Sequence, residues 1–165
     1  MENILTSGSE TSDSVIDLYK DMVYRIALTH TGNKHDADDI FQEVFLRYIQ
    51  KSIVFDSEKH RKAWFIRVTI NCSRKLFSSS WFKKTVPLDE TIPTQMPEEE
   101  HLVYETLLTL QKKYKDILYL YYFENMAVSE IYSITGIKES TIRSHLTRGR
   151  QIMKEKLKGD YFYEK

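Results

Sequence analysis

The chain has 165 residues with 24 basic and 24 acidic side chains, so its formal charge at pH 7 is zero. This length accommodates one ordinary domain or two small helical ones. The single cysteine, Cys72, excludes an internal disulfide and a thiolate-rich zinc site. No segment combines a basic start with an apolar run, and none is apolar for long enough to cross a bilayer. We therefore expect a cytoplasmic protein with no direct membrane insertion.

The N-terminal part of the chain begins with a polar tail and continues as a helix. Residues 1–13 are rich in Ser, Thr and Glu and are expected to be mobile. From residue 14 to about His30, apolar side chains recur at helical spacing. These positions are Val15, Leu18, Tyr19, Met22, Val23, Ile26 and Ala27.

Two further helices are predicted before residue 79. The segment HDADDIFQEVFLRYIQKS opens with acidic residues, which favour a helix N-terminus, and places Ile40, Val44 and Ile49 among aromatic neighbours. The next helix is predicted over residues 59–77, with an apolar stripe formed by Trp64, Val68 and Cys72. Three helices make a plausible first domain over residues 14–78.

Residues 79–100 read as a linker, because they contain all three prolines, neighbouring serines and a final acidic run. A second helical domain is predicted over residues 101–165. It begins with a helix around residues 101–110, and the apolar and aromatic run at 114–123 predicts a buried helix. The fold class is therefore all-α, with two small helical domains joined by a Pro/Ser-rich acidic linker.

The segment AVSEIYSITGIKESTIRSHLTRGR, residues 127–150, predicts a helix-turn-helix. A first helix over residues 128–135 would bury Ile131 and Ile134, and Gly136 suits a turn that needs a positive φ. A second helix is expected to start near Ser140 as N-cap and to bury two side chains four residues apart, Ile142 and Leu146.

The outward face of that second helix mixes cations with hydroxyls, which can pair with phosphates and base edges in a major groove. It consists of Arg143, Ser144, Thr147 and Arg148. Between Lys138 and Lys158, seven Lys or Arg residues stand against two Glu, so a neutral total charge hides a basic C-terminal part. The alternative is a helical hairpin with a solvated basic face.

A metal enzyme is a rival interpretation, because His35, Asp39 and Glu43 lie at metal-ligand spacing along one helix. No second Glu-x-x-His or His-Glu-x-x-His set completes such a site, and the sequence has neither a glycine-rich phosphate loop nor a recognisable Ser-His-Asp context. We therefore predict no metal site, no cofactor, no catalytic residue and no enzymatic activity.

Both halves of the chain resemble the extracytoplasmic-function (ECF) sigma factors of bacterial RNA polymerase. The resemblance rests on DADDIFQEVFLRYI, on FDSEKHRKAWFIRVTINCSRK, and on LQKKYKDILYLYYFENMAVSEIYSITGIKESTIRSHLTRGR. It implies a sigma factor that binds core RNA polymerase and directs promoter recognition, promoter melting and transcription initiation. A stand-alone helix-turn-helix transcriptional regulator is the alternative, although the first two motifs are foreign to such regulators.

The resemblance also implies partners and contact residues in the first domain. Asp39, Gln42 and Glu43 should contact the coiled coil of the polymerase β′ subunit. The basic segment over residues 58–75 should bind and melt the minus-ten element, where an extruded base needs a stacking pocket and edge hydrogen bonds. The expected contacts are Arg61, Lys62, Trp64, Arg67, Asn71, Arg74 and Lys75, although Trp64 taken alone is more often a core residue.

In the second domain, the resemblance implies that the helix-turn-helix reads the minus-thirty-five element. It also implies that the face around residues 114–122 contacts the polymerase β flap. An anti-sigma factor is a further partner that the resemblance implies. The expected DNA contacts are Lys138, Thr141, Arg143, Ser144, Thr147 and Arg148. Two positions depart from the family pattern: Lys75 replaces a frequent Asp, and Gly149 replaces a usual Ala. Glycine there should loosen the helix by about 1 kcal/mol.

Overall fold

The computed structural model describes residues 11–77 and 96–163, so the predicted tail, apart from residues 11–13, and most of the predicted linker lie outside the described residues. The chain divides into two compact units, Met1–Thr94 and Gln95–Lys165. Every regular element in the described ranges is helical, which confirms the predicted all-α class with two helical domains. Within those ranges, no helix has the length and apolarity that a bilayer span requires.

The first two helices of unit 1 are joined by a connection of two residues. Helix α1 spans Ser12–Thr31 and α2 spans Lys34–Lys51. Gly32 ends α1 in the left-handed conformation at φ 75°, and its N–H donates to the Leu28 carbonyl over 2.8 Å. Asn33 then caps α2, because its Oδ1 accepts from the Asp36 N–H at 2.8 Å. This tight connection packs α1 and α2 side by side.

Helix α3 spans Glu58–Phe77, and the prediction of its buried stripe was wrong by one residue. Phe65, Ile66 and Ile70 are buried, whereas Trp64 and Val68 are only half-buried; of the predicted stripe, Cys72 alone is buried. The helix carries apolar side chains on more than one face, so its periodicity allows two stripes about 100° apart. Packing against α1 and α2 selects the stripe that contains Phe65.

Unit 2 begins with two short helices, α4 over Glu98–Leu108 and α5 over Lys112–Leu118. The three glutamates at the end of the predicted linker form the first turn of α4, where acidic side chains stabilise the positive end of the helix dipole. The predicted single helix over residues 114–123 is interrupted by a π-helical turn over Tyr119–Phe123.

The π-helical turn brings the buried Tyr119, the half-buried Phe123 and the buried Glu124 together. The Tyr119 and Phe123 rings stack at a centroid distance of 5.2 Å, and the Tyr119 hydroxyl donates to Glu124 Oε2 over 2.7 Å. The Glu124 N–H bonds to the Tyr119 carbonyl five residues back, which is the π pattern. Helical periodicity alone does not predict this widening, because it depends on the buried Glu124.

The first helix of the helix-turn-helix is confirmed in its bounds, and the predicted buried residues of both helices are confirmed. Helix α6 spans Val128–Thr135 and α7 spans Glu139–Tyr163, with Gly136 at φ 77° between them. The predicted inward residues Ile131, Ile134, Ile142 and Leu146 are all buried. The predicted N-cap was wrong, because α7 begins at Glu139 and Ser140 lies inside its first turn.

Gly149 in α7 has a packing role that the sequence does not reveal. A Cβ at this position would lie 2.7 Å from Leu118 Cδ1 and 3.2 Å from Leu118 Cγ, so the close contact of α5 with α7 depends on glycine. Overpacking costs about 1–3 kcal/mol, while Gly→Ala in a helix gains about 1 kcal/mol. We therefore expect Gly149→Ala to lower the free energy of unfolding by about 1 kcal/mol in urea titrations.

Gly159 provides the matched control for this prediction, because nothing lies within 4 Å of a Cβ added there. Gly159→Ala in the same helix should stabilise the protein by up to about 1 kcal/mol, since only helix propensity changes. Equal stabilisation by both variants would contradict the packing role of Gly149 and leave it as a simple helix-weakening residue.

Candidate functional site

The exposed face of α7 lines a groove of about 630 Å³. Four of the predicted DNA contacts, Arg143, Ser144, Thr147 and Arg148, lie along it, directly opposite the buried Ile142 and Leu146. Because the apolar side is anchored in the core, the polar side is held outward. A helix of this kind presents cations and hydroxyls in an arrangement suited to a major groove.

The side chains on this face are pre-oriented by contacts within the helix. Arg143 Nη2 lies 3.4 Å from Glu139 Oε2, one turn earlier, and the Thr147 hydroxyl donates to the Arg143 carbonyl over 3.0 Å. The other two predicted contacts lie at the start of the motif, where Lys138 is exposed and Thr141 is half-buried. The exposed Arg143–Glu139 pair contributes little to stability, so the guanidinium can exchange it for an anion.

Three residues of this groove were missed by the sequence analysis, namely Tyr114, His145 and Gln151. Gln151 follows Thr147 by four residues, so extension of the helical spacing could have identified it. Tyr114 lies on α5, and no local pattern places it beside α7. Its ring meets the His145 ring edge-on, with centroids 5.5 Å apart.

His145 is neutral in this setting. Burial lowers the pKa of its imidazole, and the nearby Lys113 ammonium lowers it further. Its buried Nδ1 has no hydrogen-bond partner among the described residues. The positive charge of the groove therefore comes from Arg143 and Arg148 rather than from this histidine.

The predicted DNA-binding residues of α3 fall into an exposed set and a half-buried set. Arg67, Asn71, Arg74 and Lys75 are exposed and recur at helical spacing, so they share one face. Lys62 is half-buried. The exposed face carries three cations and one amide that both donates and accepts hydrogen bonds.

Arg61 is placed away from that face, against the prediction. Its side chain is buried, its guanidinium donates to Glu58, and Cζ lies 5.6 Å from the centre of the Tyr19 ring. The Tyr19 hydroxyl also donates to Glu58. Arg61 thus links α3 to α1, and this internal arrangement leaves no exposed guanidinium for a DNA contact.

Trp64 belongs to an aromatic cluster between α3 and the loop that precedes it. Its ring centroid lies 5.8 Å from Phe55 and 6.1 Å from Tyr48, and Phe55 lies 5.4 Å from His60. The Asp56 N–H donates to His60 Nδ1 over 3.2 Å, which ties the loop to the start of α3. His60 was missed by the sequence analysis. The half-buried rings offer stacking surface beside a basic face.

Helix α2 exposes a mixed acidic and apolar stripe. Asp39, Gln42 and Glu43 are all exposed, and Glu43 Oε1 accepts from Arg47 Nε over 2.8 Å. Leu46 and Ile49 continue the same helical spacing and are 49% and 54% exposed. Ile49 was predicted to lie among aromatic neighbours, and the structure instead directs it outward. Exposed leucine and isoleucine beside acidic groups are typical of a protein-docking face.

The three residues of the rival metal-enzyme interpretation are not the ones that the structure brings together. Ligand atoms of His35, Asp36 and Asp39 lie within 4.8 Å of one another, whereas Glu43 pairs with Arg47. Asp36 Oδ2 also accepts from Asn33 Nδ2 over 2.6 Å in the cap of α2. Asp36 therefore has a structural role in the cap of α2.

A second groove in unit 2, of about 440 Å³, is almost entirely apolar. Leu107 of α4, Leu118 of α5 and Met153 of α7 contribute to its walls. Tyr122 and Arg150 lie at the groove, and Arg150 Nη1 donates to the Tyr122 hydroxyl over 3.1 Å. The predicted docking face over residues 114–122 is therefore split, since Tyr114 lines the polar groove and Tyr122 the apolar one.

Comparison with known protein families assigns each of the two units to a region of the sigma-70 family. The model of sigma-70 region 2 matches residues 15–82, and the model of sigma-70 region 4 matches residues 100–153. The two regions therefore fall in separate units of the chain.

Individual relatives agree with that assignment along most of their length. The ECF RNA polymerase sigma factor SigW of Bacillus subtilis is 24% identical, with 87% of each chain covered. The RNA polymerase sigma factor SigV of Bacillus subtilis is 29% identical over 84% of this chain and 86% of its own. The fold resembles that of the sigma factor RpoE from Bartonella quintana, which was solved in complex with the anti-sigma factor NepR. The TM-score is 0.61 and the sequence identity is 18%, and the match covers 88% of this chain and 96% of that one.

Proposed function

Because the chain belongs to the ECF group of the sigma-70 family, we propose that it docks on core RNA polymerase through α2 and reads promoter DNA through α3 and α7. The observation that carries this function is the presence of both sigma-70 regions in one chain, each in its own helical unit. A stand-alone regulator would not require region 2, so that alternative is set aside.

The polymerase-binding surface proposed here is the exposed stripe of α2. Asp39, Gln42 and Glu43 supply the polar contacts that the family resemblance implies, and their exposure supports the assignment. Leu46 and Ile49 extend the stripe with apolar area that would be buried in a complex. The partner on this side is the coiled coil of the polymerase β′ subunit.

The minus-ten surface proposed here is the face of α3 that carries Arg67, Asn71, Arg74 and Lys75, with Lys62 at its margin. A melted strand needs cations for its phosphates and aromatic surface for unstacked bases. The cluster of Trp64, Phe55 and His60 lies at the N-terminal end of this helix and could hold a base against its rings. Arg61 takes no part, because its guanidinium is engaged inside the unit.

The minus-thirty-five surface proposed here is the polar groove of α7, with Lys138 and Thr141 near the DNA backbone and Arg143, Ser144, Thr147 and Arg148 in the major groove. The apolar groove around Tyr122 is the proposed site for the polymerase β flap. An anti-sigma factor is a further proposed partner. The protein would work in the cytoplasm, where it assembles with polymerase, and would catalyse no reaction of its own.

The function is tested by mixing the purified full chain with core RNA polymerase. We expect the two to co-elute in gel filtration and the complex to start transcripts from a subset of a genomic promoter library. If the protein footprints duplex DNA by itself and never co-elutes with core enzyme, the sigma-factor function is refuted.

Arg143→Ala should weaken selection at the upstream promoter element while leaving polymerase binding intact. A bidentate arginine–guanine contact contributes about 1–3 kcal/mol of discrimination, which corresponds to a loss of roughly five- to 150-fold. Holoenzyme binding to a set of single-base upstream variants measures the effect. Lys158→Ala is the matched control, because Lys158 is an exposed cation of the same helix that lines neither the polar nor the apolar groove.

The control variant should keep the wild-type base preference. An equal loss for Arg143→Ala across all upstream sequences would contradict base reading and would make Arg143 a phosphate contact.

A further inference from the structure

The apolar groove of unit 2 has the size and the wall of a small-molecule site. Its volume of about 440 Å³ falls in the range of sites for organic ligands, which are mostly apolar and carry a few placed polar groups. Leu107 and Leu118 line the groove and are almost completely buried in the packed core. Because core side chains are close-packed, they hold the inner wall of the groove in place.

The margin of this groove is positively charged. Among the described side chains that line it, the charged ones are Arg150 and Lys154, which lie one turn apart on α7 and are both exposed. Arg150 Nη1 donates to the Tyr122 hydroxyl over 3.1 Å, and this hydrogen bond holds the guanidinium at the groove. The bond uses one N–H of a group that carries several, so donors remain for an anion.

We propose that this groove binds an aliphatic carboxylate, with its hydrocarbon chain against the leucine and methionine side chains of the wall and its carboxylate on Arg150 and Lys154. A guanidinium pairs with a carboxylate through two parallel hydrogen bonds. The chain leaves water on binding, and each buried CH₂ group tightens binding by about fourfold. An apolar wall beside two cations thus complements a ligand that has an apolar chain and a negative head.

The dimensions of the groove set the length of the chain. On α7 the lining residues run from Arg150 to Leu157, which corresponds to a rise of about 10 Å. An extended hydrocarbon chain of about eight to ten carbons has a similar length, at bond lengths of about 1.5 Å. Shorter chains leave part of the wall in water, so affinity should rise with chain length up to this limit.

The same groove is the proposed site for the polymerase β flap, so a bound carboxylate would exclude that partner. This consequence rests on the proposed function. The binding of the carboxylate does not, because it requires only folded unit 2. The test therefore uses the purified full chain without polymerase.

Decanoate is the probe, titrated as a monomer into the isotope-labelled full chain and followed by amide chemical shifts. We expect shifts around Leu107, Leu118 and Met153, and a dissociation constant of about 0.1 mM. Octanoate has two fewer CH₂ groups and should bind about 15-fold more weakly. Decylammonium has the same chain with the opposite charge and should bind at least about tenfold more weakly than decanoate.

Matched variants locate the site. Combined Arg150→Gln and Lys154→Gln should weaken decanoate binding by about five- to tenfold, whereas Lys158→Gln, outside the groove on the same helix, should change it less than about twofold. Val103→Trp should fill the groove and abolish binding, and Leu102→Trp, at an exposed position outside the groove, should not. Circular dichroism checks the fold of each variant. The glutamine variants alter exposed side chains only, so their result decides the matter even where Val103→Trp unfolds.

Absence of saturable decanoate binding would overturn the inference, as would equal affinity for decanoate and decylammonium. Wild-type affinity in the double glutamine variant would also overturn it, because the carboxylate would then not lie on Arg150 and Lys154. Failure of the proposed function gives a different result. Decanoate would then bind the free chain as expected, while the chain would never associate with core polymerase.

Discussion

Phe65→Ala is expected to cost about 3–5 kcal/mol in the free energy of unfolding of unit 1, the range measured for removal of buried aromatic side chains. Phe65 is fully buried. Its ring stacks on Tyr19 at 4.6 Å and lies within 5.5 Å of Phe45 and Tyr48. One side chain thus connects all three helices of the unit. Domains are stable by only about 5–15 kcal/mol, so the loss removes a large share of the total.

Hydrogen exchange on the full chain measures this effect helix by helix. Protection of amides in α1, α2 and α3 should fall by a factor of at least about 100, whereas α4 to α7 should keep their protection, because they belong to the other unit. Phe55→Ala is the control, since that ring is only half-buried and should cost about 1 kcal/mol. Equal loss of protection in both units would argue against two independently stabilised units.

Glu43→Lys should reduce the affinity for core RNA polymerase by at least about tenfold, because it reverses a charge at the centre of the proposed docking stripe. The new lysine would also face Arg47, with which Glu43 pairs at 2.8 Å. A like-charge pair one turn apart costs only about 0.2–0.5 kcal/mol on a helix, so the unit should remain folded. Titration of labelled protein with core enzyme measures the affinity.

Asp17→Lys is the matched control for the docking prediction. Asp17 is an exposed acidic residue of unit 1 that pairs with Lys20 on α1, at 3.4 Å, and lies outside the α2 stripe. The same charge reversal there should leave polymerase affinity unchanged. If both variants lose affinity equally, net charge rather than a defined docking stripe governs the association, and the assignment of Asp39, Gln42 and Glu43 fails.

Local patterns were sufficient for the helix-turn-helix. The bounds of α6 were predicted from the helical spacing of its apolar residues and from Gly136, which ends the helix at the positive φ that the turn requires. Ile142 and Leu146 were assigned to the core correctly because α7 is apolar on one side only there. Where a helix has a single apolar stripe, its sequence is sufficient to predict which side is buried.

The sequence by itself thus determined the helical class, the two-unit organisation and the outward face of α7. Only tertiary structure decided which stripe of α3 is buried, why Ile49 faces outward and why Arg61 is held inside beside Glu58. It also decided that Gly149 is a contact point and that Tyr114 shares a groove with α7. These features depend on neighbouring helices, because burial and close approach are properties of a pair of surfaces and periodicity describes only one of them.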